Sequence, residues 1–310
     1  MDLRQLKYFT RIVELESITA AAESLHVAQP SLSQHVAKLE NEFNAQLLVR
    51  GPAGVRPTET GRLLYSHAKQ VLRQVDAARA AVEHCRDTPS GHVSFGLSTS
   101  ASRVVAVPLF DAVRQAYPEV MLELIEGSNA DLAESVVRQR LDLALAMDVG
   151  QRPDHMQATP VLDEQLLLVG LPLPDGARAI SLAGVAALPL VLPSFPNSIR
   201  VLSERAFSDA GLAFNLIAET SAVSVLLALV RAGRGWTILP ASALGDPDAK
   251  GQDLVGIPIS DHVFTRRASL CLSASAQQSL ACKAVRELAR ALIRDMIDDG
   301  RWQGVTRLDG

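Results

Sequence analysis

The stretch AAAESLHVAQPSLSQHVAKLENE, from Ala20 to Glu42, determines how the amino-terminal part of the chain folds. It is typical of a short helix, a tight turn and a second helix. Ser17 is a good N-cap for the first helix, and His26 suits the turn because histidine is enriched among non-glycine residues at positive φ. Pro30 suits the first position of the second helix, where its missing N–H costs nothing. The sequence therefore predicts a helix-turn-helix.

The second helix has one apolar and one polar face. An apolar stripe that packs on the preceding helices is predicted from Leu32, Val36, Leu39 and Phe43. The other face carries the candidate DNA-contacting residues Gln29, Pro30, Ser31, Ser33, Gln34, His35 and Lys38. Uncharged polar side chains at the start of a helix suit the major groove, where glutamine can pair with adenine. The spacing alone leaves open an ordinary helical bundle whose polar face is solvated.

A turn sequence after this helix predicts a two-stranded wing. GPAG (51–54) lies between LLVR (47–50) and VRPT (55–58), which can pair as strands. Arg50 and Arg56 flank the turn, where a wing would lie along the DNA backbone or minor groove. The alternative is that both arginines are ordinary surface charges.

The composition of the chain gives no general sign of nucleic-acid binding. The 310 residues carry a net charge of −4, and the first 58 contain six basic and six acidic residues. Attraction for phosphate must therefore be local. The hydrophobic fraction of 48% and the charged fraction of 21% are typical of a globular protein, and the length predicts about two domains.

Nothing in the sequence indicates a metal site, a cofactor or a membrane segment. The cysteines Cys85, Cys271 and Cys282 lack CxxC spacing, and the seven histidines form no paired ligand pattern. The start MDLRQLKYF is unlike a signal peptide, and no apolar run approaches the roughly eighteen residues that span a bilayer. We therefore expect a reducing, cytoplasmic location, no cofactor and no metal.

The amino-terminal stretches resemble a known family. Met1 to Glu42, and LLVRGPAGVRPTETG from Leu47 to Gly61, are similar in register to the amino-terminal domain of LysR-type transcriptional regulators. The resemblance implies a winged helix-turn-helix over residues 1–58 that binds double-stranded promoter DNA. The family often has arginine at the position of Gln34, so guanine readout is less expected there.

A long linker helix is predicted over residues 59–88, with Thr58 as its cap. A stripe with the spacing of a coiled-coil seam is formed by Leu64, Ala68, Val71, Val75, Ala78 and Val82. One helix cannot bury such a stripe alone, so we expect a homo-oligomer. The resemblance implies the same, as a dimer or tetramer, with RNA polymerase as a further candidate partner. The alternative is that the stripe packs on the protein's own carboxyl-terminal half.

After a hinge at DTPSG (87–91), strands alternate with helices. The predicted strands are 92–97, 120–125, 141–147, 165–170, 189–192, 214–218, 236–239 and 269–273, and the predicted helices are 102–116, 130–140, 198–210, 221–232 and 276–297. This pattern predicts an α/β domain with a mainly parallel sheet over residues 89–310.

The α/β domain is expected to have two subdomains around a cleft. One comprises 89–163 with 268–298, the other comprises 164–267, and the chain crosses between them near 161–165 and 263–268. The arrangement resembles periplasmic binding proteins. Beyond Asp298 the tail is expected to be mobile.

Two polar segments at helix starts predict a site for a small, anionic effector. The candidate effector-binding residues are Ser98, Thr99, Ser100, Ser102, Ser128, Phe195, Asn197, Ser198 and Arg200. The alternative for each hydroxyl and amide is a plain N-cap.

An enzyme is the least favoured class. GLSTS (96–100) approaches the GxSxG nucleophile elbow, but Ser100 replaces the final glycine and no histidine stands in triad context. We therefore predict no enzymatic activity. The alternatives to a regulator are a solute-binding protein or a hydrolase-like enzyme that uses the amino-terminal helices for assembly.

Overall fold

The computed structural model describes residues 1–51, 54–83, 88–148, 155–173, 176–244, 254–274 and 278–308. The chain divides into two compact units, residues 1–91 and 92–310.

The first unit is a three-helix core with a two-stranded wing and a long helix. Its elements are α1 (Leu3–Leu15), α2 (Ile18–Ser24), α3 (Gln29–Phe43), β1 (Leu48–Gly51), β2 (Gly54–Pro57) and α4 (Glu59–Glu83). The core is formed by Phe9, Ile12, Ala21, Leu32, Val36, Leu39 and Leu47, with their apolar neighbours. Phe43, predicted as the end of the apolar stripe, is instead 43% exposed, because α3 ends there and the chain turns at Asn44 with φ +47°.

The helix-turn-helix is confirmed in detail. The Ser17 hydroxyl accepts a hydrogen bond from the Ala20 N–H at 3.2 Å and caps α2. His26 occupies the left-handed region with φ +54°. The third helix begins at Gln29, so Pro30 lies in its first turn, one position later than predicted.

The wing is also confirmed, with β1 and β2 paired antiparallel. The Thr58 hydroxyl accepts a hydrogen bond from the Gly61 N–H at 2.9 Å and begins α4 as predicted. A Cβ atom at Gly61 would lie 2.0 Å from the Leu47 carbonyl oxygen. Only glycine therefore lets α4 approach this backbone so closely. Residues 84–87, which include the last part of the predicted linker helix and the start of the predicted hinge at Asp87, lie outside the described residues.

The stripe along α4 is partly covered by its own unit. Ala68 is buried, and Leu64 packs on the three-helix core. Lys69 pairs with Glu14 of α1 at 2.9 Å, which fixes the same end of the helix. Further along the helix, Val71 is 40% exposed, Val75 is half-buried and Ala78 is exposed, whereas Val82 lies outside the described side chains. Only the first part of the predicted seam is therefore buried on its own unit.

The second unit contains the remaining helices and strands. Its helices are α5 (Thr99–Ala116), α6 (Asn129–Val137), α7 (Leu182–Ala187), α8 (Ser198–Asp209), α9 (Val223–Arg231) and α10 (Leu280–Asp298). Its strands are β3 (Gly91–Ser98), β4 (Val120–Gly127), β5 (Leu143–Met147), β6 (Met156–Gly170), β7 (Leu190–Pro193), β8 (Leu216–Thr220), β9 (Thr237–Pro240), β10 (Val255–Ile257), β11 (Thr265–Ser273) and β12 (Val305–Arg307). The sequence did not predict α7, β10 and β12.

The prediction of a mainly parallel sheet was wrong. The main sheet has the order β10-β6-β11-β5-β3-β4, with β9 and β12 also paired to β6. Although β3 and β5 are parallel, β11 is antiparallel to both β5 and β6. A strand from the end of the chain thus lies between two strands from its middle, and the local βαβ pattern could not show this.

Two hydrophobic cores lie along the long strand β6. The first is built from β3, β5, β11, α5 and α10, and the second from β7, β9, α8 and α9. Residues 156–165 of β6 pair with β11, whereas residues 166–170 pair with β9 and β10. The chain therefore passes between the cores within a continuous strand, near the predicted crossing at 161–165. We call the two bodies the first and second lobes.

The prediction of a mobile tail was wrong for most of its length. Trp302 is 2% exposed and belongs to the first core. β12 pairs antiparallel with β6, with Val305 opposite Glu164. Within the described residues, no helix combines the length and apolarity needed to cross a bilayer.

Candidate functional site

The start of α3 presents a polar surface. Its exposed residues are Gln29, Pro30, Ser31, Gln34 and Lys38. Ser33 is half-buried, and its hydroxyl accepts a hydrogen bond from the Gln29 amide at 3.2 Å. This surface contains most of the residues predicted to contact DNA, and Leu32, Val36 and Leu39 are buried behind it.

His35 does not belong to this surface, contrary to the prediction. It is half-buried, and its ring packs edge-on against Tyr8 of α1 with centroids 5.1 Å apart. Its Nδ1 atom is buried without a hydrogen-bond partner. His35 therefore helps to join α1 and α3, which places α3 on the core.

Three exposed cations belong to the polar surface of α3 or to the neighbouring wing. Lys38, Arg50 and Arg56 form no ion pair with any carboxylate in the described residues. The wing pairs Val49 with Arg56 and Arg50 with Val55. Because successive residues of a strand point to opposite faces, Arg50 and Arg56 start from opposite faces of the wing. The two arginines therefore leave the wing in different directions.

A cleft with a volume of about 450 Å³ lies in the second unit. This volume lies in the range of small-molecule sites. Its polar and charged lining residues are Ser98, Thr99, Ser100, Arg103, Ser128, Asn129, Asp148, Ser194, Asn197, Ser198, Ser221 and Arg266. The starts of α5, α6 and α8 therefore contribute to one site, as predicted, and Phe195 forms an apolar part of the wall.

Asn197 and Ser128 make N-cap hydrogen bonds, whereas Ser98 does not. The Asn197 side chain accepts from the Ile199 N–H at 2.9 Å, and the Ser128 hydroxyl accepts from the Asp131 N–H at 3.2 Å. Ser98 makes no side-chain cap hydrogen bond, is 5% exposed, and its hydroxyl has no partner. The buried Ser198 hydroxyl also has no partner in hydrogen-bonding geometry, but it lies near the Asp148 carboxyl and lowers the pKa of that group. A ligand in the cleft could satisfy the Ser98 hydroxyl.

Asp148, at the end of β5, adds a carboxylate that sequence reasoning missed. Its Oδ1 atom accepts a hydrogen bond from the Arg267 N–H at 2.9 Å, whereas its Oδ2 atom is buried without a partner. Burial raises the pKa of the Asp148 carboxyl, and the Arg267 N–H, the charge of Arg266 and the Ser198 hydroxyl offset part of that increase. A polar residue at the end of a buried strand was the available signal, since Ser98 ends β3 in a similar way.

Arg266 and Glu164 form a buried ion pair at one side of the cleft. Arg266 is 4% and Glu164 0% exposed, and the Arg266 Nε and Nη2 atoms donate to Glu164 Oε2 at 2.8 and 2.6 Å. Arg266 Nη2 also donates to the Ser100 hydroxyl at 2.6 Å, and Ser242 donates to Glu164 Oε1 at 2.7 Å. Ser100 thus contacts a cation rather than a general base, and the described lining contains no histidine. This arrangement gives no support to the hydrolase alternative.

Two predicted effector residues lie outside the lining of the cleft. Arg200 is 5% exposed and donates to Glu204 at 2.8 Å and Glu219 at 2.9 Å. It is two residues beyond Ser198, about 200° around the helix, so its side chain leaves the helix on another side. It is also stacked on Phe195, with its guanidinium carbon 4.9 Å from the ring centroid.

Ser102 is displaced because α5 begins earlier than predicted. The helix starts at Thr99, so Ser102 lies one turn inside it. Its hydroxyl binds the Glu126 carboxylate of β4 and the Thr99 carbonyl oxygen. Arg103, which the prediction omitted, lines the cleft instead and donates to the Ala243 carbonyl oxygen at 2.8 Å.

Comparison with family models decides what kind of protein carries these two surfaces. Residues 3–62 match the bacterial regulatory helix-turn-helix of the lysR family, and residues 86–294 match the LysR substrate binding domain. The chain belongs to the LysR family. It is a DNA-binding transcriptional regulator with an effector-binding domain.

Curated LysR-type relatives cover most or nearly all of the chain. The nitrogen assimilation regulatory protein nac of Escherichia coli is 36% identical over 314 residues, which cover 99% of this chain and 100% of nac. The transcriptional regulator BenM of Acinetobacter baylyi is 30% identical over 251 residues, covering 78% and 81% of the two chains. Both are regulators of transcription and neither is a hydrolase.

Solved LysR-family structures share the fold. CbnR complexed with its target DNA aligns with a TM-score of 0.70 at 21% identity, covering 95% of this chain and 99% of CbnR. A full-length OxyR variant of Pseudomonas aeruginosa aligns with a TM-score of 0.72 at 20% identity, covering 100% and 99%. The predicted winged helix-turn-helix, long helix and two-lobed α/β domain are therefore confirmed as a fold.

Proposed function

We propose that this LysR-type regulator reads promoter DNA with the start of α3. Gln29, Ser31, Ser33 and Gln34 would contact base edges, while Lys38 and the wing arginines would contact phosphates. One observation carries the proposal: the side chains of Ser31, Gln34 and Lys38 are exposed and form no hydrogen bond with any described residue. Their hydrogen-bonding capacity is thus available to a ligand.

The test is an electrophoretic shift with DNA from upstream of the chain's own coding region, at a stated salt concentration. Gln34→Ala is expected to weaken specific binding on the order of 10-fold or more, because a bidentate base contact is worth about 1–3 kcal/mol. Gln115→Ala, on the exposed side of α5, is the matched control. Equal affinity of both variants for promoter DNA would contradict the assignment of Gln34.

A second part of the proposal concerns assembly through α4. Val71, Val75 and Ala78 continue the coiled-coil spacing beyond the part that packs on α1. A second α4 would cover these residues and bring two α3 helices to half-sites on one face of the DNA. Val71→Asp should lower the mass measured by analytical ultracentrifugation, whereas Gln74→Asp on the same helix should not. An unchanged mass for Val71→Asp would refute this interface.

The cleft is proposed to sense a small effector that carries a carboxylate. The two lobes, residues 89–163 with 268–298 and residues 164–267, would close around it. Because Ser98 and Ser198 line the cleft from different lobes, one ligand can contact both. Effector binding changes DNA binding only if the affinity for the effector differs between two arrangements of the oligomer. RNA polymerase is a further proposed partner, and the cleft acts as a sensor rather than an active site.

A further inference from the structure

The charges that line the cleft are balanced. Arg103 and Arg266 are cationic, but Arg266 is already paired with Glu164. The negative charge of Asp148 then balances the positive charge of Arg103 in the lining. The cleft thus lacks the excess of positive charge that a ligand with two negative charges would need.

One part of the cleft is suited to a carboxylate. Ser98 precedes α5, a helix of 18 residues, and its buried hydroxyl is without a partner. Arg103 lies one turn into the same helix and forms no ion pair with a described carboxylate. The helix N-terminus, a free hydroxyl and a guanidinium therefore offer hydrogen bonds to the same negative group.

Another part of the cleft is suited to a cation. Asp148 directs one oxygen to a backbone N–H, and its second oxygen is buried with no partner in hydrogen-bonding geometry, although the Ser198 hydroxyl is near enough to lower the pKa of the carboxyl. This oxygen can accept a further hydrogen bond from a donor of the ligand. An ammonium group satisfies it best, since it supplies both a proton and an opposite charge. A second ligand carboxylate placed there would instead repel Asp148.

We propose that the effector is a zwitterion of the α-amino acid class, with its carboxylate at Ser98 and Arg103 and its ammonium group at Asp148. The inference rests on the proposed sensing role of the cleft and specifies its ligand class. It narrows the sequence-based expectation of a simple anion, because that expectation did not include Asp148.

The test is calorimetric titration of the full-length chain with the standard amino acids. For each amino acid that binds, the matched amine without the carboxylate and the matched acid without the ammonium group are titrated next. We expect at least one amino acid to bind, and each matched analogue to bind roughly 10- to 100-fold more weakly. Binding of none of the amino acids, or equally tight binding of the deaminated acid, would overturn the proposal.

Asp148→Asn tests the position of the ammonium group. The substitution keeps an oxygen for the Arg267 N–H and removes the charge. It should weaken amino acid binding roughly 10- to 100-fold and leave the affinity for the deaminated acid unchanged. Asp209→Asn, at an exposed position on α8, is the control that should change neither. An unchanged amino acid affinity in Asp148→Asn, with a native circular dichroism spectrum, would refute this placement.

The experiment separates failure of this inference from failure of the proposed function. If dicarboxylates bind and alter the shift of promoter DNA while amino acids do not, the zwitterion is wrong and the sensing role stands. If amino acids bind in the cleft but no ligand alters the DNA complex, the ligand class stands and the sensing role fails.

Discussion

The buried ion pair between Arg266 of β11 and Glu164 of β6 allows a quantitative test of how burial couples the two side chains. The two side chains are 4% and 0% exposed, and Glu164 also accepts from Ser242 at 2.7 Å and from Trp302 Nε1 at 3.4 Å. Removing one member of such a pair leaves an uncompensated buried charge, which costs about 3–5 kcal/mol. Replacing both members with apolar residues leaves no buried charge. The double variant should therefore be far less destabilised than the sum of the single variants.

We predict this for Glu164→Met, Arg266→Met and their combination. Each single variant should lower the free energy of unfolding by about 3–5 kcal/mol, and the coupling energy should be about 2 kcal/mol or more. Tryptophan fluorescence during urea unfolding is the assay, because both tryptophans, Trp236 and Trp302, lie in the second unit. The fluorescence then reports the unfolding of that unit alone, so the unfolding of two units is not analysed as a single two-state transition.

A neighbouring pair on the same two strands provides the control. Arg267 donates to Asp163 at 2.8 and 3.0 Å, but its side chain is 55% exposed. Exposed pairs are worth about 0–1 kcal/mol, so the same cycle at Asp163 and Arg267 should give a small coupling energy. If the Glu164 and Arg266 substitutions were additive within about 0.5 kcal/mol, burial would not be the source of the predicted coupling.

Four smaller perturbations test other parts of the structure. Trp302→Ala should destabilise the second unit by about 3–5 kcal/mol in the same urea assay, whereas a mobile tail would give no change. His26→Gly should be tolerated in thermal unfolding, while His26→Val should cost about 1–2 kcal/mol because φ is +54°; equal melting temperatures would contradict this. Burial raises the pKa of Cys271 and Cys282 to about 12. In a Cys85→Ser variant, both thiols should therefore resist iodoacetamide at pH 8 until the chain unfolds, and rapid labelling of the folded chain would refute this expectation. Because the pKa of Asp148 is raised, its contribution to stability is lost as pH rises through the folded-state pKa, and Asp148→Asn should be more stable than the parent at pH 7 by a margin that shrinks towards pH 4.

The amino-terminal unit was predictable because its determinants are local. The Ser17 cap, the turn at His26 and the position of Pro30 each depend on residues within one or two turns of the chain. His35 was the exception. Its spacing suits the polar face of α3, but an aromatic contact with Tyr8, which is distant in sequence, takes its ring from that face.

The second unit shows what local patterns cannot reveal. Strand β11 could be placed along the chain from its apolar run, but its antiparallel position beside β5 depends on long-range pairing. That pairing brings Arg266 of β11 to the cleft. The starts of α5, α6 and α8 were predicted from the sequence, and their residues meet at the cleft. Arg200 was misplaced because a preference for a cation ignored the direction in which the third residue of a helix points.

The position of the Arg266–Glu164 pair has a consequence for how the lobes can move. Strand β6 pairs with β11 up to residue 165 and with β9 and β10 from residue 166, and the Leu166 N–H donates to the Phe264 carbonyl oxygen at 2.9 Å. A change in the angle between the lobes would act where the chain passes between the two cores, which is where the pair is buried. Arg266 also holds the Ser100 hydroxyl at the cleft. A ligand that changes the hydrogen bonding of Ser100 thus acts on the same guanidinium that joins the crossing strands, so occupation of the cleft and the angle between the lobes share one set of hydrogen bonds.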